Sequence, residues 1–372
     1  MTEAAIQSPT RGGGNHPREA EDETSGEPGR EEARGDKTGL DEFLSLSRPP
    51  RTRLDMIAVR FEDKSVRVTE AQRPSGEGVP VRVRACGICG SDLAMLDAGF
   101  PIAGIPGHEI AGELPDGTPV AIEPLAACGS CRPCREGSYQ VCAAGPEMIY
   151  GVGRDGGMAE EVRVPKRCLV PLPRGLDART GFLVEPLAVA VHGLRRARID
   201  GASKVLVVGG GAIGLCAVAA STSARAETAL IARHAAQVES GRLLGAEIRE
   251  RESVSGQDYD VVIDCAGTES AAEVACDALR PNGTLLMLAS SWDRFVLPAI
   301  VSGLKELEVV FSTMYGRSGT MRDVDAAATI LGAREEVAEA LVTDRFRLVD
   351  APKAFDRARD RRGGAIKVVL EP

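Results

Sequence analysis

Aromatic residues are scarce in this chain: one Trp, four Tyr and eight Phe among 372 residues. A wide aromatic pocket, or a stacking platform for bases, has little to be built from. Histidine is scarcer still, with four copies, so one that falls inside a motif carries weight. No apolar run approaches the ~18 residues that a membrane span needs, and no membrane partner is expected. The N-terminus lacks a basic stretch followed by an apolar one, so no secretory signal is evident. Positive charge is in deficit as well. The formal net charge of −9 disfavours a nucleic-acid partner, whose phosphates would select a basic face.

What is present falls into segments. Residues 1–55 are rich in Gly, Pro, Ser, Glu and Arg and nearly free of β-branched and aromatic residues, the composition of a disordered tail. Inside it, Leu40–Leu44 reads as a short helix, a docking motif or simply more tail. Met56 opens the first patterned strand, so a displaced start site is a further reading of the tail. Over 56–183 short alternating strands such as Val66–Val68 and Val81–Arg84 are separated by turns, with a hairpin signal at Pro115-Asp116-Gly117-Thr118. Over 184–311 strands and helices alternate, which implies a parallel sheet. The strand candidates are Val205–Val208, Thr228–Ile231, Val261–Ile263, Thr284–Leu288 and Glu308–Phe311. Residues 312–372 are expected to return to the first domain. This predicts a two-domain α/β protein: a β-rich domain plus a doubly wound parallel sheet.

Ten cysteines without a secretory signal suggest a reducing cytoplasm rather than a disulfide scaffold. Four of them, Cys128, Cys131, Cys134 and Cys142, have the spacing C-x2-C-x2-C-x7-C. One compact loop with that spacing closes four thiolates around a tetrahedral Zn²⁺, leaving no vacancy for chemistry. Gly209-Gly210-Gly211-Ala212-Ile213-Gly214 follows an apolar strand and opens a helix, the context that identifies a dinucleotide-binding turn. There Gly209 permits the tight turn, Gly211 the approach of a pyrophosphate, and Gly214 close packing of helix on strand.

The chain from Met56 onward resembles the zinc-dependent medium-chain dehydrogenase/reductase superfamily of alcohol, sorbitol and threonine dehydrogenases. The resemblance rests on Gly87-Ile88-Cys89-Gly90-Ser91-Asp92, Gly107-His108-Glu109-Ile110-Ala111-Gly112, the four-cysteine loop, Val184-Glu185-Pro186-Leu187, the glycine turn and the ending Gly364–Leu370. It implies a GroES-like catalytic domain joined to a Rossmann domain. It also implies two zinc ions per chain, the catalytic one held by Cys89, His108, Glu109 and Glu185. A thiolate, an imidazole and carboxylates suit Zn²⁺ and leave a position for substrate. By the same resemblance Asp92 orients the histidine and Ser91 takes the substrate proton. One departure stands out: Ala94 replaces the histidine that in many relatives passes that proton to solvent. Cys86, three residues before Cys89, is taken as a buried thiol.

The resemblance also bears on the cofactor. NAD-binding relatives place a carboxylate at the end of the second strand of the parallel sheet; here that position is Ala232, followed by Arg233. A guanidinium with no carboxylate beside it favours NADP over NAD. Lys367 matches a family position that contacts the pyrophosphate, with a solvated strand-edge lysine as the alternative. The reaction implied is hydride transfer between NADP(H) and a secondary alcohol, a polyol or the corresponding ketone. A biosynthetic carbonyl reductase, and a non-catalytic zinc- and dinucleotide-binding protein, are the alternatives. A homo-oligomer, dimer or tetramer, is expected by analogy.

Overall fold

Strands β1 (Asp55–Glu62) and β2 (Ser65–Gln72) pair as an antiparallel hairpin turned by Asp63 and Lys64, both at positive φ. The computed structural model describes residues 55–372 apart from positions 103, 257 and 291–293. The readings of the tail, Leu40–Leu44 included, fall on residues outside the described ones; only Asp55 lies within, at the start of β1.

Strand β3 (Val79–Gly87) is followed by helix α1 (Gly90–Ala98), β4 (Glu109–Glu113), β5 (Pro119–Ile122), β6 (Glu161–Val164) and β7 (Leu169–Pro171). The hairpin predicted at 115–118 joins β4 to β5 and is closed by Leu114 N–H donating to the Thr118 carbonyl. Helix α2 (Val184–Arg196) then leads to β8 (Lys204–Val208), α3 (Ala212–Ser223), β9 (Glu227–Ile231), α4 (Ala235–Leu243) and β10 (Glu247–Ile248). After these come β11 (Tyr259–Asp264), α5 (Glu269–Ala278), β12 (Leu279–Met287) and β13 (Glu308–Phe311). A two-residue ribbon, β14 (Arg317–Ser318) with β15 (Met321–Arg322), precedes α6 (Asp323–Ala333), β16 (Val342–Arg347), α7 (Ala351–Arg359) and β17 (Lys367–Glu371).

Two sheets organise these elements. One is parallel, with strand order β10-β9-β8-β11-β12-β13. Its central strands are apolar because both faces are covered: Val205–Val208 and Val261–Asp264 are all buried. Chain order reverses between β8 and β11, and the crevice at such a switch point is where parallel sheets receive ligands. The other sheet runs β16-β17-β3-β4-β5-β7, with β6 on the outer part of β3. The late strand β17 thus lies antiparallel beside β3, with Val369 opposite Gly87. This is the expected mixed architecture of a β-rich part plus a doubly wound parallel sheet.

Helix α3 is apolar and alanine-rich, with residues 214–221 all buried, as a helix covered on every side must be. Beside it, α2 is tied to α6 by a buried polar cluster. His192 Nδ1 lies 2.8 Å from Asp323 Oδ2, Arg195 grips both Asp323 oxygens at 3.1 and 2.7 Å, and Gly316 N–H donates to Asp323 Oδ2. Burial works to raise the Asp323 carboxyl, but the bonds from His192, Arg195 and Gly316 prevail and hold it at about 2, below the ordinary 3.8. A carboxylate favoured by the fold contributes stability above its unfolded pKa and loses it as pH falls through the folded one. Asp323→Asn is therefore expected to cost about 2 kcal/mol at pH 7 and to flatten the acid limb of stability between about pH 4 and pH 2. An unchanged urea midpoint in the variant would refute this role.

Candidate active site

The first ligand cluster forms where β3 hands over to α1. Cys89 is the residue before α1, and its N–H donates to Asp92 Oδ2 at 2.9 Å, closing the first turn. Antiparallel pairing of β3 with β4 sets Glu109 opposite Gly87, two residues from Cys89. A side chain at Gly87 would meet Glu109 Oε2 at 2.0 Å, so glycine there makes room for the carboxylate. Gly107, at φ 95°, turns the chain so that His108 faces the same point, and its missing side chain leaves space for Cys86 Sγ and Met158.

One donor atom each from Cys89, His108 and Glu109 lies within 4.8 Å of the others. His108 Nδ1 faces Asp92 Oδ1 at 3.5 Å, which leaves Nε2 toward the cluster, where Ser91 Oγ stands 3.5 Å away. Asp92 and Glu109 are fully buried, and among the described residues Asp92 Oδ1, His108 Nδ1 and Glu109 Oε2 have no hydrogen-bond partner. Burial works against a charged His108, yet Asp92 and Cys89 hold its pKa well above the ordinary imidazole value. A half-buried sulfur and imidazole beside a buried carboxylate, one oxygen of which has no partner among the described residues, form a donor set that fits Zn²⁺ with an open position.

Two of the expected residues stand differently. Glu185, in the first turn of α2, lines the same cavity, but its carboxylate lies outside the three-donor cluster. Burial chiefly, with Glu109 adding to it, pushes its carboxyl up to about 7. Lys367 is neither a solvated edge residue nor directed at the glycine turn. It is 2% exposed, and its ammonium bonds Glu109 Oε1 at 2.5 Å and the Ile88 carbonyl at 3.2 Å. The physical reason is charge: a buried carboxylate demands a counter-ion, and the pairing of β17 with β3 delivers the lysine to it. Cys86 is fully buried and takes no part in the cluster.

The second cluster is the four-cysteine loop, whose sulfurs also lie within 4.8 Å of one another. Peptide N–H groups of Cys131, Cys128 and Ala144 point at the sulfurs of Cys128 or Cys142 at 3.3–3.4 Å. Hydrogen bonds from Ser130 and the backbone draw the Cys128 thiol down to about 5. Donors aimed at sulfur suit thiolates, and four thiolates fit a closed Zn²⁺ site. Tyr139 within this loop donates to Glu123, a short contact, and to the Gly316 carbonyl at 3.0 Å; Arg322 pairs the other Glu123 oxygen at 3.0 Å. Next to Gly316, the fully buried Tyr315 lines the cavity. The sequence reading singled out none of Glu123, Tyr139, Tyr315 or Arg322, because no local motif marks them.

A cavity of about 580 Å³ joins Cys89, Ser91, His108 and Glu185 to Gly211 and Ala212 of the glycine turn. Gly209 has φ 109°, and a side chain at Gly214 would strike the Gly209 carbonyl at 1.7 Å. A side chain at Gly211 would meet nothing within 4 Å, so that face is open, and the first turn of α3 has no side-chain cap. Unshared N–H groups at an uncapped helix start fit the diphosphate of a dinucleotide. At the end of β9, Ala232 is half-buried and Arg233 exposed, with no carboxylate on either. Ala94 lines the cavity beside Leu93 and Met95, so no imidazole stands there to extend a proton path.

Comparison with known proteins places this geometry. The alcohol dehydrogenase GroES-like domain model matches residues 75–174, and the glucose dehydrogenase C-terminus model matches 178–371. D-xylulose reductase A of Aspergillus niger is 30% identical, aligned over 82% of this chain and 92% of its own. Among solved structures, a zinc-binding dehydrogenase from Sinorhizobium meliloti 1021 with NADP bound has a TM-score of 0.76 at 27% identity, covering 86% of this chain and 99% of that one. Galactitol-1-phosphate dehydrogenase from Escherichia coli has a TM-score of 0.75 at 25% identity, covering 86% and 100%. With two metal-ligand clusters, a glycine turn on the shared cavity and a family model covering the C-terminal half, this chain belongs to the zinc-dependent medium-chain dehydrogenase/reductase superfamily of oxidoreductases.

Proposed function

We propose that the protein transfers hydride between NADP(H) and a secondary alcohol or polyol, or the corresponding ketone. One observation carries the reading: the Cys89, His108 and Glu109 donors and the glycine turn meet at one cavity, so substrate oxygen and nicotinamide can share it. Cys89, His108 and Glu109 would hold a catalytic Zn²⁺, with Glu185 poised nearby, and Cys128, Cys131, Cys134 and Cys142 a structural one. When bound, the catalytic ion supplies Lewis acidity at a substrate oxygen, and the nicotinamide gives or takes the hydride. The chain's own residues do the rest. Asp92 fixes the His108 ring through Nδ1, and Lys367 neutralises the buried Glu109. Ser91, 3.5 Å from His108 Nε2, is placed to accept the hydroxyl proton, and with Ala94 in place of an imidazole the relay ends in water or in another group, or the preferred direction differs. Gly209, Gly211 and Gly214 shape the cofactor turn.

The polyol branch is favoured by glutamate rather than cysteine at position 185 and by the D-xylulose reductases among the relatives. NADP is favoured by Arg233 and by the missing carboxylate at Ala232. The expected result is a kcat/KM at least about tenfold higher with NADP than with NAD, the worth of one charge-assisted contact. A clear NAD preference would refute that part alone. An NADPH preference would also suit a biosynthetic ketone reductase. The whole reading is tested by following nicotinamide absorbance across alcohols, polyols, sugars and aminocyclitols, with a chelated sample as control. No turnover, with about one zinc per chain instead of about two, would favour a non-catalytic binding protein.

The domain division at 56–183, 184–311 and 312–372 is kept in this proposal, supported by β17 lying in the sheet of β3. A homo-oligomer, dimer or tetramer, is kept as well. Its support is the edge strand β13, with Phe311 61% exposed, and the exposed Ile300 and Leu304 in the segment that precedes it in the chain. Among the described residues no helix is long and apolar enough to cross a membrane. Ten cysteines, four at metal spacing, favour the cytoplasm as its location.

A further inference from the structure

A dinucleotide lying along the glycine turn brings a doubly charged diphosphate into a cavity with few cations. Lys367 lines that cavity but is buried, with its ammonium on Glu109 and the Ile88 carbonyl. Two cations near it in sequence are also occupied: Arg357 pairs with Asp344 and Asp360, and Arg359 with Asp97. Arg361 differs. It is exposed, it lines the cavity together with Gly211, Ala212 and Gln237, and no hydrogen bond or ion pair holds its guanidinium among the described residues.

The turn that carries Arg361 is braced. Asp360 Oδ1 accepts from Gly363 N–H at 2.8 Å, Arg357 donates to the Gly363 carbonyl at 3.1 Å, and Ala365 N–H returns to the Asp360 carbonyl. Gly364, at φ 92°, ends the turn, and a side chain there would lie in ordinary contact, 3.5 Å, with Ala236 on α4. The backbone beneath Arg361 is thereby braced, and the side chain lines the same cavity as the uncapped start of α3. A guanidinium and uncapped helix N–H groups on one cavity can share a diphosphate between them.

We infer that Arg361 is a cationic arm that holds the cofactor diphosphate at the start of α3. This rests on the dinucleotide-binding reading above. Diphosphate is common to NADH and NADPH, whereas a 2′-phosphate is not, and that difference makes the inference testable. In the zinc-loaded, full-length protein, Arg361→Ala is expected to raise the Kd of both NADH and NADPH by about tenfold to a hundredfold, read by nicotinamide fluorescence titration. It should also flatten the salt dependence of both. The adjacent Arg362→Ala should change neither. Arg361→Lys, which keeps the charge and loses the fork, should recover part of the affinity. Unchanged affinity for both cofactors in Arg361→Ala would overturn the inference, and so would a loss confined to NADPH. Parent protein that binds neither dinucleotide would overturn the functional reading along with it. Because Arg361 is exposed and unpaired, its removal should leave the melting temperature and the zinc content of the parent, which separates a binding loss from misfolding.

Discussion

Cys89→Ala or His108→Ala is expected to lower kcat/KM by about a thousandfold or more and to reduce bound zinc from about two ions per chain to about one. The size follows from the chemistry. A metal held at this cluster would supply several kcal/mol of charge stabilisation in the transition state, and each 1.4 kcal/mol is a factor of ten in rate. Both side chains converge with Glu109 and have no substitute among the described residues, since the other grouped ligands belong to the four-cysteine loop. Asp92→Asn should fall between parent and ligand variants. It keeps the shape but removes the carboxylate that faces His108 Nδ1, and such outer contacts are worth roughly tenfold to a hundredfold in affinity or activity. Metal analysis alongside steady-state rates provides the check. Activity retained in Cys89→Ala with one zinc fewer would separate the reaction from this cluster.

Cys134→Ser or Cys142→Ser is the second large effect, and it acts on stability. The segment 128–142 has a single four-residue helical turn and a 3₁₀ turn, too little regular structure to hold itself. Cys134 and Cys142 are buried, and burial holds the Cys134 thiol up at about 12. Four sulfurs this close cannot all be charged without a cation among them, so an ion held there and the loop geometry would stabilise one another. Structural zinc in small domains contributes about 10–16 kcal/mol of apparent binding free energy, and losing one ligand forfeits a large part of it. The expected result is a variant that melts well below the parent, or is recovered insoluble, with strong chelators reproducing the effect. A serine variant with parental melting temperature and two zinc ions would refute the structural role.

The consequences should not stop at the loop. Tyr139 ties it to Glu123 and to the Gly316 carbonyl, and Gly316 adjoins Tyr315 on the cavity wall. On the other side, the Gly316 N–H is held by Asp323, within the cluster that joins α2 to α6. Partial loss of structural zinc should therefore disturb the cavity before the chain unfolds.

Much of this could be read along the chain, for an identifiable reason. The four cysteines lie within fifteen residues, the glycine turn within six, and the G-H-E turn within three, so neighbours in sequence are neighbours in space. The parallel strands were legible because burial on both faces leaves unbroken apolar runs such as Val205–Val208. Glu185 was visible as a residue, whereas its place outside the three-donor cluster was not.

Periodicity and spacing pointed to a β-rich part plus a parallel α/β sheet, a four-cysteine loop and a glycine turn, since each is written in short-range pattern. The dehydrogenase reading and the second ligand set came from resemblance to a family. Folding alone decided that Lys367 neutralises Glu109 across 258 positions, that Asp323 meets His192 across 131, and that Arg361 lines one cavity with the glycine turn. The physical reason is that a buried charge takes whichever counter-charge the strand pairing brings near, and strand pairing joins residues that share no local signal.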